Sequence, residues 1–162
     1  MSDKIQGFQP VFDKNSELLI LGSFPSVKSR AVDFYYSNRQ NRFWKMLFGY
    51  FGEVYKEDTA AKREFVLRRH VALWDVVSEC DIVGSSDASI TGYAVAEIPA
   101  VLKAAPIRLI LLNGAVAYKI FCENFAEIGV PFLRMPSTSP ANPRYEQAAW
   151  FAALDSVFGA AK

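Results

Sequence analysis

Leu18-Leu19-Ile20-Leu21-Gly22-Ser23-Phe24-Pro25-Ser26 runs four aliphatic residues into a glycine–proline turn. An unbroken apolar run of this length suits a strand covered on both faces, the usual situation in a parallel sheet. The signature returns three times downstream. Val71-Ala72-Leu73-Trp74 with Val76-Val77 reads as a second strand interrupted by Asp75. Ile107 to Leu112 reads as a third, ending at Asn113-Gly114, and Pro131 to Met135 as a short fourth. Helical patterns fill the intervals, over 42–51, 59–69, 94–104 and 115–125, the third weakened by Pro99. A last helix is expected with Asn142 as its cap, Pro143 in its first turn and Glu146 at its positive end. Its Trp150, Ala153, Leu154, Val157 and Phe158 recur at helical spacing. Strand–helix alternation predicts one domain over residues 1–162. Its expected fold is a three-layer α/β/α sandwich around a central, mainly parallel four-stranded sheet.

With 51% hydrophobic and 22% charged residues, the 162-residue chain can bury a substantial core. No apolar run approaches the ~20 residues that span a bilayer. The start, Met1-Ser2-Asp3-Lys4, lacks the charged-then-apolar pattern of a signal segment, so a cytoplasmic protein without membrane contact is expected. Cys80 and Cys122 are too few for a four-cysteine zinc site or a thiolate-held iron–sulfur cluster. They read as two reduced, buried thiols, and no metal or cofactor is expected.

The net charge of +1 hides an uneven distribution. Residues 28–45 hold Lys28, Arg30, Arg39, Arg42 and Lys45 against Asp33 alone, a local charge of +4. Phe34, Tyr35, Tyr36, Phe43 and Trp44 are interleaved with them. Basic groups suit phosphates and flat rings suit unstacked bases. The same composition also fits a solvated basic face beside core aromatics.

In open parallel sheets, ligands sit beyond the carboxyl ends of the strands. Those ends carry residues 22–25, Asp75, Asn113-Gly114 and residues 136–140, and three segments are specific together: residues 21–26, Tyr35-Tyr36-Ser37-Asn38-Arg39-Gln40-Asn41-Arg42-Phe43-Trp44, and Met135-Pro136-Ser137-Thr138-Ser139-Pro140-Ala141-Asn142. In that order they resemble the uracil-DNA glycosylase superfamily, most of all its hypoxanthine-DNA (deoxyinosine) glycosylase branch. Leu73-Trp74-Asp75, Gly84-Ser85-Ser86-Asp87 and Leu112-Asn113-Gly114 with Ala117 are also similar to that branch. The resemblance spans residues 18–158, nearly the whole chain.

The resemblance implies a monofunctional base-excision repair enzyme. It would flip a deaminated base out of DNA and hydrolyse its N-glycosidic bond. Asn41 matches the polar catalytic residue of the hypoxanthine branch, and Tyr36 its stacking aromatic. Gly22, Ser23, Phe24, Pro25, Asn113 and Ser137 are expected around the base. Lys28, Arg39, Arg42, Thr138, Ser139 and Arg144 are expected on the DNA. Phe24 stands where uracil-removing members place an Asp or Asn, which favours hypoxanthine over uracil. The partner would be DNA containing a deaminated base, met by a monomer.

Plainer roles stand beside these. Tyr36 also fits the core, Asn41 a helix cap, and Asn113 a turn before Gly114. Ser137-Thr138-Ser139 also reads as a hydroxyl-rich turn. Asp75 reads as a buried carboxylate that organises its loop, and His70 as structural. A catalytically weak nucleic-acid-binding module on the same fold is the alternative function, and an enzyme of free nucleosides a third.

Overall fold

The computed structural model describes residues 5–25, 34–81 and 91–159. Lys28, Arg30 and the 84–87 segment therefore lie outside the described residues, as does Ser26.

Four strands form the central sheet: β2 (Leu18–Gly22), β3 (Val71–Asp75), β6 (Leu109–Asn113) and β7 (Phe132–Met135). Their order is β3-β2-β6-β7 and every pairing is parallel. β2 lies at the centre, wholly buried, as its aliphatic run predicts. Side chains alternate between the two faces of each strand. Leu18, Ile20, Val71, Leu73, Leu109 and Leu111 pack on one side with α1 (Phe43–Tyr50), α2 (Thr59–Arg68) and α5 (Gln147–Phe158). Leu19, Leu21, Ala72, Ile110 and Leu112 pack on the other with α3 (Ile98–Ala104) and α4 (Ala115–Phe125). These are the three layers expected from the alternation of elements.

Three boundaries differ from expectation. Val76-Val77 does not continue the second strand: β3 stops at Asp75, and Val77 begins β4 (Val77–Asp81), the middle strand of a separate antiparallel sheet. That sheet is completed by β1 (Ile5–Gln6) and β5 (Thr91–Val95). The chain turns because the N–H groups of Val76 and Val77 donate to the carbonyls of Gly22 and Ser23, at 2.8 and 3.2 Å. Residues 94–95 lie in β5, so the third helix begins only at Ile98, with Pro99 in its first turn, where proline is tolerated. Asn142 does not cap the last helix, which starts at Gln147 behind Glu146. Asn142 is spent on the preceding loop: Nδ2 donates to Ser137 O at 2.8 Å, and Oδ1 accepts from Arg144 N at 3.0 Å.

Indole N–H groups pin loops to this frame. Trp44 donates to Tyr35 O at 2.9 Å, and Trp150 to Pro136 O at 2.8 Å. A buried indole needs such a partner, and here the partners are two of the segments singled out in the sequence. Asp58 caps α2 by accepting from Ala61 N at 2.9 Å, an interaction of ~1 kcal/mol. His70 lies at the opposite, amino end of β3, exposed, 3.0 Å from Glu17. Cys122 is a free, half-buried thiol. Among the described residues no helix is long and apolar enough to cross a membrane.

Candidate active site

The carboxyl ends of β2, β3 and β6 open into a cavity of about 1000 Å³. The turn after β2 supplies Gly22, Ser23, Phe24 and Pro25, and the segment before α1 supplies Tyr36, Asn38 and Asn41. β6 ends in Asn113, and the loop after β7 supplies residues 136–142 and Arg144. A second hollow, of about 940 Å³, opens at His70 beside α2, among Asp13, Asp58, Arg63 and Glu64. None of the site residues expected from sequence lines it.

Tyr36 reaches the cavity with a left-handed backbone, φ 52°. That conformation is an outlier for a bulky side chain and costs ~1–3 kcal/mol. Its ring is half-buried and stacks on Phe43, with centroids 4.2 Å apart. The neighbouring rings divide differently: Phe34, Tyr35, Phe43 and Trp44 are buried in the core. Of the interleaved aromatics, Tyr36 alone is only partly buried.

Asn41 ends a turn in which its N–H donates to Asn38 O at 2.8 Å. Its Oδ1 accepts from Phe43 N at 2.9 Å, which fixes the amide's orientation, since only the oxygen can accept. Capping and cavity lining thus coexist in one side chain. Nδ2 makes no hydrogen bond among the described residues.

Phe24 is 8% exposed, belongs to the core cluster of Leu19, Leu21 and Val77, and borders the cavity. No polar side chain stands at that point of the turn. Gly22 is required by close approach. A Cβ there would lie 2.6 Å from Asp75 Oδ1 and 3.0 Å from the Tyr36 hydroxyl. Gly114, at φ 101°, would meet Ser137 Cβ at 3.2 Å, so β6 can turn into α4 only without a side chain.

The loop after β7 is held from within. Asn113 grips Thr138 at both ends of its amide: Nδ2 donates to Thr138 Oγ1 and Oδ1 accepts from Thr138 N, each at 3.0 Å. Thr138 has no exposed surface. The hydroxyl, expected on the DNA, is used instead as an internal anchor of the loop. Asn113 borders the cavity, yet its amide serves that anchor. Ser137 Oγ accepts from Ser139 N at 3.1 Å, and Ser139 Oγ from Ala141 N at 3.2 Å, so both hydroxyls shape the turn.

Arg42, expected on the DNA, is turned inward. Its backbone N–H donates to Thr138 O at 3.1 Å. Its guanidinium donates to the carbonyls of Thr138, Ser139 and Asn142. It also covers the Tyr145 ring, 4.4 Å from the centroid. Five donors in a fixed fork suit this task. Arg42 thereby ties the loop to the residue next to Asn41. Arg39 does not line the cavity and forms an exposed pair with Glu57 at 2.8 Å. Arg144 is exposed at the cavity rim. Lys28 lies outside the described residues.

The cavity also contains Arg134, not expected there from sequence, and two residues given no site role from sequence, Asn38 of the second motif and Asp75 at its strand end. Asp75 is 4% exposed and ends β3 in register with Gly22. Its place at a strand's carboxyl end was the available signal, outweighed by the commoner structural use of a buried acid. Arg134 is the exposed penultimate residue of β7, beside Met135. Among the described residues no cluster of three or more His, Cys, Asp or Glu side chains could hold a metal ion.

The uracil DNA glycosylase superfamily profile matches residues 9–155. A curated Methanosarcina acetivorans protein named hypoxanthine DNA glycosylase is 32% identical over 144 residues, covering 88% of this chain and 90% of its own. A Methanosarcina barkeri protein of the same name is 35% identical over 113 residues, covering 68% and 72%. The solution structure of a candidate uracil DNA glycosylase from Methanosarcina acetivorans superposes with a TM-score of 0.78 at 30% identity. It covers 96% of this chain and 97% of that one.

Proposed function

The chain belongs to the uracil DNA glycosylase superfamily, and from that premise we propose that it is a monofunctional DNA glycosylase of base-excision repair, excising deaminated bases from DNA with hypoxanthine favoured over uracil. One observation carries the reading. The Gly22–Pro25 turn, Tyr36, Asn41 and the loop at 136–142 come from distant parts of the sequence and border a single cavity. Two relatives named hypoxanthine DNA glycosylase support the substrate class. Phe24 supports the order of preference, because it leaves the first turn without an amide or carboxylate to serve uracil.

A glycosidic bond inside a duplex is out of reach, so the nucleotide must leave the stack. The Tyr36 ring, braced from behind by Phe43, offers a face for the extruded base. Its strained backbone fits a residue held for function rather than for packing. Bond breaking then places positive charge on the sugar and negative charge on the departing base. The amino end of α4, at Ala115, opens on the cavity. Unpaired N–H groups there favour negative charge on the base or on a phosphate. Arg134 and Arg144 at the rim suit the flanking phosphates.

Asn41 is the catalytic residue of this reading. Its Oδ1 keeps a second lone pair beyond the one given to Phe43 N–H, and Nδ2 is a donor, so the amide can orient a water. Among the described residues no lysine lines the cavity, and no Schiff-base lyase step enters the reading. The product is an abasic site. The enzyme is read as a cytoplasmic monomer.

Asn41→Ala tests this directly. Loss of water orientation should lower single-turnover cleavage of inosine-containing DNA by about 10²-fold, with circular dichroism and DNA binding preserved. A folded variant that cleaves at the wild-type rate would remove Asn41 from catalysis.

A further inference from the structure

Hydrolysis of a glycosidic bond leaves a proton to be placed. The attacking water must lose one, and an amide cannot take it. Asn41 can orient water, but it cannot act as a base. Among the described residues, the cavity wall contains one carboxylate, Asp75. No histidine lines it either.

Asp75 is built into the site from several directions. It is the last residue of β3, paired in parallel register with Gly22, the last residue of β2. The following N–H groups, of Val76 and Val77, are bonded to the Gly22 and Ser23 carbonyls, which fixes the backbone on both sides of the junction. Its Oδ1 lies 2.6 Å from the position a Gly22 Cβ would occupy, and the Tyr36 hydroxyl lies 3.0 Å from the same point. The absence of a side chain at Gly22 thus makes room for a carboxylate beside the ring read as the base platform. The charge has a plain electrostatic use as well, since a carboxylate on the cavity wall stabilises a cationic sugar.

We propose that Asp75 is the general base of the glycosylase reaction, accepting a proton from the attacking water while Asn41 orients that water. This rests on the glycosylase reading above. The water oxygen bonds to C1′ of the sugar as the C1′–N bond breaks, and the electron pair of that bond leaves with the base. One water proton passes to the Asp75 carboxylate and later to solvent. The departing base takes a proton from solvent at a ring nitrogen. The atoms then sum to an abasic sugar and a free neutral base.

The test uses the full chain with a fluorescent duplex containing one inosine, under single-turnover conditions. Asp75→Asn keeps the shape and removes the basic oxygen. It should cleave about 10²-fold or more slowly than wild type, while binding a non-cleavable abasic-analogue duplex within about threefold of the wild-type affinity. Asp75→Ala vacates the space beside Gly22, and added formate should restore a saturable part of its rate. Formate should leave Asn41→Ala unchanged. A structural role alone predicts no formate rescue. If Asp75→Asn cleaves as fast as wild type, or if Asp75→Ala is slow and formate restores nothing, Asp75 is not the base. Wild-type cleavage in that same experiment would leave the glycosylase reading standing. Failure of the wild-type protein to cleave would overturn both.

Discussion

At the scale of single residues, the side chains of the matched motifs divide between those that can meet a substrate and those that hold the others in place. Tyr36 and Asn41 belong to the first group. Asn113, Thr138 and Arg42 belong to the second, because their polar atoms are bonded to each other and to loop carbonyls. A motif in a sequence does not distinguish these uses, since a threonine hydroxyl reads equally well as a phosphate contact or an anchor. Burial decides it, and burial depends on where Asn113 arrives from 25 residues away. Tyr36 yields a test at this scale. Tyr36→Ala should weaken capture of the extruded base by ~1–3 kcal/mol, measured as the affinity for a duplex with a non-cleavable inosine analogue. Tyr36→Phe should bind within about threefold of wild type, because the face stacked on the base survives. Equal losses from both substitutions would assign the effect to the hydroxyl.

At the scale of elements, the four parallel strands were legible because β2, β3 and β6 are apolar runs ending in a turn, and β7, broken only by Arg134, follows the same pattern. β4 and β5 were not. Val77-Ser78-Glu79-Cys80-Asp81 and Thr91-Gly92-Tyr93-Ala94-Val95 mix polar and apolar residues, and their pairing is irregular in register. Such strands are specified by partners distant in sequence more than by their own pattern. The start of α5 was misread for a related reason: Asn142 has the chemistry of a cap and uses it on the loop, as an acceptor for Arg144 N. Arg42 links elements most directly, joining the start of α1 to the loop after β7. Arg42→Lys should loosen that loop, because one ammonium cannot span three carbonyls in the geometry of a fork. Losing charge-assisted bonds of ~1.5–3 kcal/mol in total should lower the melting temperature by several degrees and slow single-turnover cleavage. A variant that melts and cleaves like wild type would show that the loop does not depend on this contact.

At the scale of the whole molecule, the sheet gathers chemistry that the sequence scatters. The parallel arrangement sends the ends of β2, β3 and β6 to one edge, so Gly22, Asp75 and Asn113 become neighbours across 91 positions of chain. Three-layer packing closes both faces of the sheet, and that edge is where a ligand can enter. The basic stretch at 28–45 does not act as one surface among the described residues: Arg42 faces inward and Arg39 pairs with Glu57. Among the described residues, the cations at the cavity rim are Arg134 and Arg144, far along the chain. We propose that this edge excises deaminated bases, hypoxanthine ahead of uracil. The most direct measurement is the wild-type single-turnover rate on two oligonucleotide duplexes identical except for inosine or deoxyuridine at one position. Cleavage of both is expected, with inosine the faster. Faster removal of uracil would contradict the substrate assignment, and cleavage of neither would contradict the enzyme itself.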